Sequence, residues 1–386
     1  MNIVTKAGEI NVIPIDLLIL QMTEFCNLDC RYCYLPNRSS TAAMTSEVLE
    51  KSIEHAFSLS VQDKPFTIVF HAGEPLLADK SLFLHAIDFA RKFASKTVHD
   101  NVNVQTNGMF IDEEWCRIFQ HGPVQVGVSI DGPQAINDAN RVDRRGRGSF
   151  AKVKAGIDLL RANNINFHAI SVLTEVAYQN PRGMYEFFKE LSPTGVCFNV
   201  DEIDGANAKS STYSTSEAAV RNFWQTISDS WLADGSRVAI RELNALFDYL
   251  SRGPSSKARD QFNQTNCPFG IITVAANGDF STFSPEFMAL PVKHGDRFAY
   301  GNVLRDRYED VLSSEKFLND LNEIRLGVNA CNNECEYFAI CGGGCPSNKY
   351  AEAGSMAVST TKHCHFSKKI VIEEFMRCVE NRLENG

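Results

Sequence analysis

The sequence predicts an α/β fold built from successive βαβ units. Six short apolar runs recur over the first two hundred residues, and amphipathic helical stretches lie between them. Each unit is roughly thirty residues long, the length that a strand, a crossover helix and its loops require. Pattern alone leaves a doubly wound sheet and a barrel both open.

In chain order the strand candidates are "IDLLILQM" (15–22), "FTIVFH" (66–71), "VNVQTN" (102–107), "VQVGVSID" (124–131), "INFHAISVL" (165–173) and "VCFNVDE" (196–202). Helical periodicity occupies 46–60, 80–95, 111–120, 149–163 and 181–191. Residues 203–215 are polar and read as a loop, 216–250 read as helix, and 251–266 as a second polar connector. A cysteine-rich part begins at Cys267, and a last helix is expected over 367–384. The expected organisation is therefore 1–202, 203–266, 267–366 and 367–386.

At 386 residues, 44% hydrophobic, the chain can bury a large core. A net charge of −9 disfavours binding to nucleic acid or to an anionic membrane. The most apolar early run, Val12 to Leu20, is short and carries Asp16, and no signal-peptide order of charged, apolar and small residues is present. A cytoplasmic protein is the expectation. Twelve cysteines in such a chain do not suggest a disulfide framework. Three fall within 26–33 and six between 267 and 364, which suggests metal; Cys116, Cys197 and Cys378 stand alone and are expected to pack in the core.

"CNLDCRYC" places Cys26, Cys30 and Cys33 directly after the first expected strand. Three thiolates leave zinc one open position, or leave one iron of a four-iron cluster free to bind substrate. Ligation by cysteine alone leans towards iron–sulfur, although spacing does not exclude zinc.

The stretch "CNLDCRYCY" resembles the signature of radical S-adenosylmethionine (radical SAM) enzymes, CxxxCxxC with an aromatic residue, here Tyr32, before the third cysteine. The resemblance implies a partial (β/α)6 TIM-like barrel over 1–202, with a 4Fe–4S cluster on Cys26, Cys30 and Cys33. The free iron of that cluster would bind SAM, and cleavage of SAM would release a 5′-deoxyadenosyl radical. Further motifs follow at successive strand ends, where a barrel places its active site. "HAGEP" (71–75) resembles the family's GGEP, with Ala72 in place of the first glycine; Ala72, Gly73 and Glu74 would hold the SAM amino group. Gln105 and Asn107 in "QTNG", Ser129 and Asp131 in "SIDG", Arg141, and Leu173 in "VLT" would meet the rest of SAM: Ser129 and Arg141 its ribose and carboxylate, Leu173 its adenine. Taken singly, Asp131-Gly132-Pro133 and Asn107-Gly108 are ordinary turn chemistry; the order of the set carries the resemblance.

From Cys267 the pattern is similar to the SPASM extension of peptide-modifying radical SAM enzymes, expected over 267–366. That family usually shows seven cysteines and two auxiliary four-iron clusters. Carried over, Cys331, Cys335, Cys341 and Cys364 complete one auxiliary 4Fe–4S site. Cys267 and Cys345 belong to the other, but Phe283 stands where the family has its remaining cysteine, five residues after Gly278. The resemblance implies at least one auxiliary cluster and leaves the second uncertain.

Across most of the chain the sequence is similar to one SPASM branch, the maturases that form three-residue cyclophanes in ribosomally made, Gly-rich precursor peptides. The shared wording includes "CYLPNRSS" (33–40), "FNVDEIDG" (198–205) and "CPFGIITVAANGDFSTFSPEF" (267–287). The implied reaction joins an aromatic ring carbon to the β-carbon of the residue two positions on. Rearomatisation releases a proton and an electron: a nearby cluster could take the electron, and Asp201, Glu202, Asp204 and Glu286 are the candidate proton acceptors. The resemblance also implies an external flavodoxin- or ferredoxin-like electron donor. Only about two dozen residues precede Cys26, too few for a winged-helix leader-binding domain. Thioether formation, epimerisation and formylglycine formation are the alternatives, and a zinc-stabilised binding module is the rival outside catalysis.

Overall fold

The computed structural model describes residues 2–5, 8–11, 15–59, 66–93, 102–122, 124–252, 263–290 and 298–385. An antiparallel hairpin, β1 (Asn2–Thr5) and β2 (Gly8–Asn11), opens the chain. The six expected strands follow as β3 (Leu17–Leu20), β4 (Thr67–Phe70), β5 (Val102–Thr106), β6 (Gln125–Ser129), β7 (Phe167–Leu173) and β8 (Val196–Val200). They pair in parallel in chain order, β3 through β8, as the (β/α)6 expectation requires.

Parallel strands are covered on their outer face by crossover helices, which is why they read as nearly continuous apolar runs. In β7, Phe167, Ala169, Ser171 and Leu173 are buried, while His168, Ile170 and Val172 are half-buried on the opposite face. Helices Phe150–Ala162 and Pro181–Leu191 contribute Val153, Ile157, Leu160, Met184 and Phe188 to the same core. Asp112 caps the helix Glu113–His121 through Trp115 N at 2.7 Å, and Trp115 then packs edge-on against Phe83 at 5.2 Å. Cys116 and Cys378 are buried, as expected of packing cysteines, and Cys197 is half-buried.

Three features differ from the sequence reading. The single helix expected over 216–250 is two, Glu217–Ala233 and Arg241–Arg252, because Gly235 (φ 64°) and Ser236 (φ 60°) are left-handed in succession. The sheet also runs across the expected boundary at 266/267: β9 (Ile271–Val274) pairs in parallel with β3, Leu17 opposite Ile271, and β10 (Asp279–Thr282) and β11 (Gly301–Asn302) continue it antiparallel. The cysteine-rich part is thereby hydrogen-bonded to the strand that precedes Cys26. The last helix is Ile370–Asn385, entered through a continuous helical turn from Lys362, and it packs on Glu217–Ala233 through Trp231 and Phe375. Residues 253–262 of the second connector lie outside the described residues. Among the described residues no helix is long and apolar enough to cross a membrane.

Candidate active site

The loop after β3 carries Cys26, Cys30 and Cys33 half-buried, and its backbone is held from outside. Arg144 Nη2 donates to Cys26 O (3.1 Å), Arg38 Nη1 donates to Cys30 O (3.1 Å), and Asp29 N donates to Val142 O (2.8 Å). These contacts fix the loop without using the sulfurs. Burial first, then the charges of neighbouring groups that include the other cysteines, raises the Cys26 thiol to about 11 and Cys30 to about 12. Cys26 and Cys30, shielded from water in this way, stay protonated unless a positively charged core draws them down. The donor set therefore fits an iron–sulfur cluster with one iron left open. Among the described residues no three His, Cys, Asp or Glu side chains converge on the point a single ion would occupy.

After β4, Ala72 (φ 71°) and Gly73 (φ 59°) are left-handed in succession. A Cβ on Gly73 would stand 2.3 Å from Thr23 O and 2.8 Å from Phe25 O, so only glycine lets this turn meet the cysteine loop. Glu74 ends this turn. Its carboxylate is buried and accepts from Leu76 N (3.0 Å), Thr106 Oγ1 (2.6 Å) and Asn107 N (2.7 Å), tying β4 to the end of β5. It organises the turn from inside, and the turn's backbone is what remains for a ligand.

Gln105 and Ser129 meet on the inner face, Nε2 to Oγ at 2.9 Å, beside His168. A Cβ on Gly127 would stand 2.1 Å from Gln105 Oε1 and 2.5 Å from His168 Nε2, so glycine makes room for both side chains. Asn107 donates to Asn27 (2.8 Å) next to Cys26. Asp131, fully buried, is a junction: it accepts from Tyr32 Oη (2.6 Å), Arg141 Nε (2.9 Å) and Val172 N (3.0 Å). Arg141 lies over the Tyr32 ring at 5.4 Å. The Leu173 side chain is buried in the core between sheet and helices, and Val172 takes the inward position, so the backbone of this strand end is what remains for a ligand.

The four candidate proton acceptors separate once their surroundings are visible. Asp201 is consumed by its own loop, accepting from Asn207 Nδ2 (2.9 Å), Ser211 N (2.7 Å) and Ser211 Oγ (2.6 Å). Glu202 accepts from Asn348 Nδ2 (2.6 Å), and His363 Nδ1 stands 2.6 Å away but out of line for a hydrogen bond. Asp204 is buried, with no hydrogen-bond partner for either carboxylate oxygen; burial, then Glu286 and Glu202, pushes it up to about 9. Burial, then Glu202, raises Glu286 to about 7. The pair Asp204–Glu286 thus gives up its first proton near neutrality and retains the second.

Tyr34 and His71 were not expected from the sequence. Tyr34 Oη is 3.5 Å from His71 Nε2, and the field of Glu286, Cys33, Asp204 and Glu202 reaches the hydroxyl. The turn Asp204–Asn207 is clamped on Tyr34, whose carbonyl accepts from Ala206 N at 2.7 Å. The available signal was the second aromatic of "CRYCY", directly after the third cysteine.

A cavity of about 620 Å³ opens beyond Glu202 and Glu286, with Cys331, Cys335, Cys341, Cys345 and Cys364 in its wall. Cys331, Cys335, Cys341 and Cys364 act on one another electrostatically, as neighbours do. Cys267 is not in that wall, and its charged neighbours are Asp16 and Arg325; Cys345 faces Ser284 (3.1 Å), Ser347 (3.2 Å) and Glu286. Cys267 and Cys345 do not act on one another in this way. The space beside Phe283 is filled: Phe283, fully buried at φ 76°, stacks on Phe317 (ring centroids 5.7 Å, planes 18° apart), which stacks in turn near Phe269 (6.2 Å, 13°).

Comparison with known proteins places this geometry. The family model for the radical SAM superfamily matches residues 20–188. An uncharacterised protein of Synechocystis is 34% identical over 96% of this chain and 93% of its own. A cysteine-type anaerobic sulfatase-maturating enzyme of Clostridium perfringens is 27% identical over 95% of this chain and 98% of its own. A solved structure of native anSMEcpe with bound AdoMet superposes with a TM-score of 0.76 at 25% identity, covering 96% of this chain and 99% of that one.

Proposed function

The chain belongs to the radical SAM superfamily, and from that premise we propose that it is a maturase forming carbon–carbon crosslinks, three-residue cyclophanes, in a ribosomally made precursor peptide. It is a radical SAM enzyme of the sulfatase-maturase and SPASM type, and its cofactors are S-adenosylmethionine and 4Fe–4S clusters. When bound, these supply a 5′-deoxyadenosyl radical that takes hydrogen from an unactivated C–H bond. Cys26, Cys30 and Cys33 would hold the first cluster, and Cys331, Cys335, Cys341 and Cys364 an auxiliary one. The turn at Ala72–Gly73, Gln105, Asn107, Ser129 and Arg141 would receive SAM. Electrons would come from a flavodoxin- or ferredoxin-like donor.

The observation that supports the crosslinking reading is the meeting of two stretches that carry the resemblance to that branch, 198–205 and 267–287. They bring Asp204 into the field of Glu286, which lines the cavity. Joining an aryl carbon to a β-carbon removes one hydrogen atom to the deoxyadenosyl radical, then one proton and one electron from the ring. An iron–sulfur cluster held by the C-terminal cysteines would supply the acceptor for the electron, and Glu286 takes the proton. Asp201 and Glu202 are occupied, and Asp204 retains its proton at neutral pH, which leaves Glu286 as the base.

Formylglycine formation is the second reading, favoured by the near full-length similarity to a sulfatase-maturating enzyme. Co-expression with candidate peptides encoded beside the gene, followed by tandem mass spectrometry, separates the two. Loss of two hydrogens with fragmentation suppressed across a three-residue span supports the crosslink. An aldehyde captured by a hydrazide, with fragmentation intact, favours formylglycine.

Glu286→Gln is expected to lower crosslinked product by about a hundredfold or more, the usual contribution of a positioned base, while 5′-deoxyadenosine still forms. The sign with pH follows from the raised carboxyl: below about 7 it is protonated and cannot accept, so product formation rises through neutrality and levels above it. A profile flat from about pH 6 to 8 in the parent enzyme would remove Glu286 from this role.

A further inference from the structure

The short helix Pro346–Ala353 carries a lysine into the interior. Lys349 is 5% exposed, and its Nζ donates to Cys331 Sγ at 3.4 Å. Among the described residues that thiol is the only hydrogen-bond acceptor of the ammonium. A second observation shows the position to be built. Gly327, on the helix Glu315–Glu334, faces it, and a Cβ there would stand 3.0 Å from Nζ and 2.0 Å from Met356 O. Glycine in mid-helix carries a conformational penalty of about 1 kcal/mol relative to alanine, and here it leaves the ammonium and the Met356 carbonyl their space.

A buried ammonium without an anion is costly, and one facing a neutral thiol is hardly compensated. The counter-charge has to come from the cysteines as thiolates. Cys331, Cys335, Cys341 and Cys364 line one cavity with Lys349. Lys368 and Lys369 also line the cavity but are exposed and half-buried, where water and salt weaken their effect.

We propose that Lys349 is the built-in counter-cation of the four-cysteine site, and that its charge favours the reduced form of the cluster held there. This rests on the reading that Cys331, Cys335, Cys341 and Cys364 hold an iron–sulfur cluster. The step concerned is the gain of one electron by that cluster, which makes the thiolate-bound core more negative by one unit. A fixed positive charge in contact with a ligand sulfur, shielded from water, stabilises the more negative state. Lys349 thereby makes the auxiliary cluster a better acceptor for the electron released during crosslinking, without touching substrate.

The test uses the full chain with Cys26, Cys30 and Cys33 replaced by alanine, reconstituted anaerobically with iron and sulfide, so that only auxiliary iron remains. Lys349→Met, Lys349→Gln and Lys349→Arg are compared in that background by potentiometric titration followed by electron paramagnetic resonance. Loss of the charge is expected to disfavour reduction at least tenfold, a fall of about 59 mV for one electron, in both the methionine and glutamine variants. The arginine variant should stay near the parent. A glutamine variant with the parent's potential overturns the proposal, because a hydrogen bond without charge then suffices. Should the methionine variant fail to fold, the glutamine and arginine pair decides the matter. A parent that binds no iron defeats the four-cysteine reading instead, and that result is visible before any lysine variant is made.

Discussion

Replacing Cys26, Cys30 and Cys33 together with alanine is expected to reduce SAM cleavage by more than about a thousandfold, some 4 kcal/mol of barrier, and to leave about four irons per chain. The first part follows from the loop after β3. Its backbone is pinned by Arg38, Arg144 and the Val142 carbonyl, so the substitution removes sulfurs without releasing the loop. The second part follows from the C-terminal region. Four cysteines act on one another around a cavity, whereas Cys267 and Cys345 have separate neighbours. The volume that a further ligand would need is occupied by the Phe283 and Phe317 rings in stacked contact. Iron and sulfide analysis of the anaerobically reconstituted variant checks both parts at once. About eight irons would mean that the second auxiliary site is filled in spite of Phe283, and SAM cleavage at the parent's rate would mean that the first cluster lies elsewhere.

The expected and observed strands agree for β3 to β8 because each is a parallel strand with an apolar covered face, and burial of that kind leaves a plain apolar run in the sequence. β9, Ile271–Val274, is an apolar run of the same kind but lies within the cysteine-rich part, and β10 and β11, four and two residues long, carry no such run. The signal that existed was Asn277-Gly278 between two short β-prone segments, a hairpin pattern. Residues of the candidate site were legible as motifs and much less so as roles. Asp201 and Asp204 are three positions apart, yet one accepts three hydrogen bonds and the other none. That contrast depends on how the chain folds back through Asn207 and Ser211, which composition does not encode. Leu173 shows the same limit: the motif places it at the end of β7, and the strand's pleat decides which face its side chain serves. Lys349 carries no sequence signal at all, since its meaning comes from Gly327 and Cys331 on another helix.

Asp131→Ala is expected to destabilise the fold by about 3–5 kcal/mol, because it leaves the Arg141 guanidinium buried without a counter-charge. The carboxylate is fully buried and the arginine side chain 8% exposed, so solvent cannot replace the lost partner. Tyr32 Oη and Val172 N lose their acceptor in the same step. These losses share one junction and do not add. Asp131→Asn should cost less, since a side-chain oxygen can still accept from Val172 N or Arg141 while the charge is gone. Removing both charges in Asp131→Ala/Arg141→Met should recover part of the stability, as apolar replacement of a buried pair commonly does. Denaturant midpoints for the parent, Asp131→Ala, Arg141→Met and the double variant supply the cycle. The functional consequence has the same cause: Asp131 joins β6, β7, the cysteine loop through Tyr32, and Arg141, so each variant should weaken SAM binding even where the fold survives. An Asp131→Ala protein within about 1 kcal/mol of the parent would show that Arg141 is solvated or paired by another route, and the junction would then not be what aligns the cysteine loop with the inner face of the sheet.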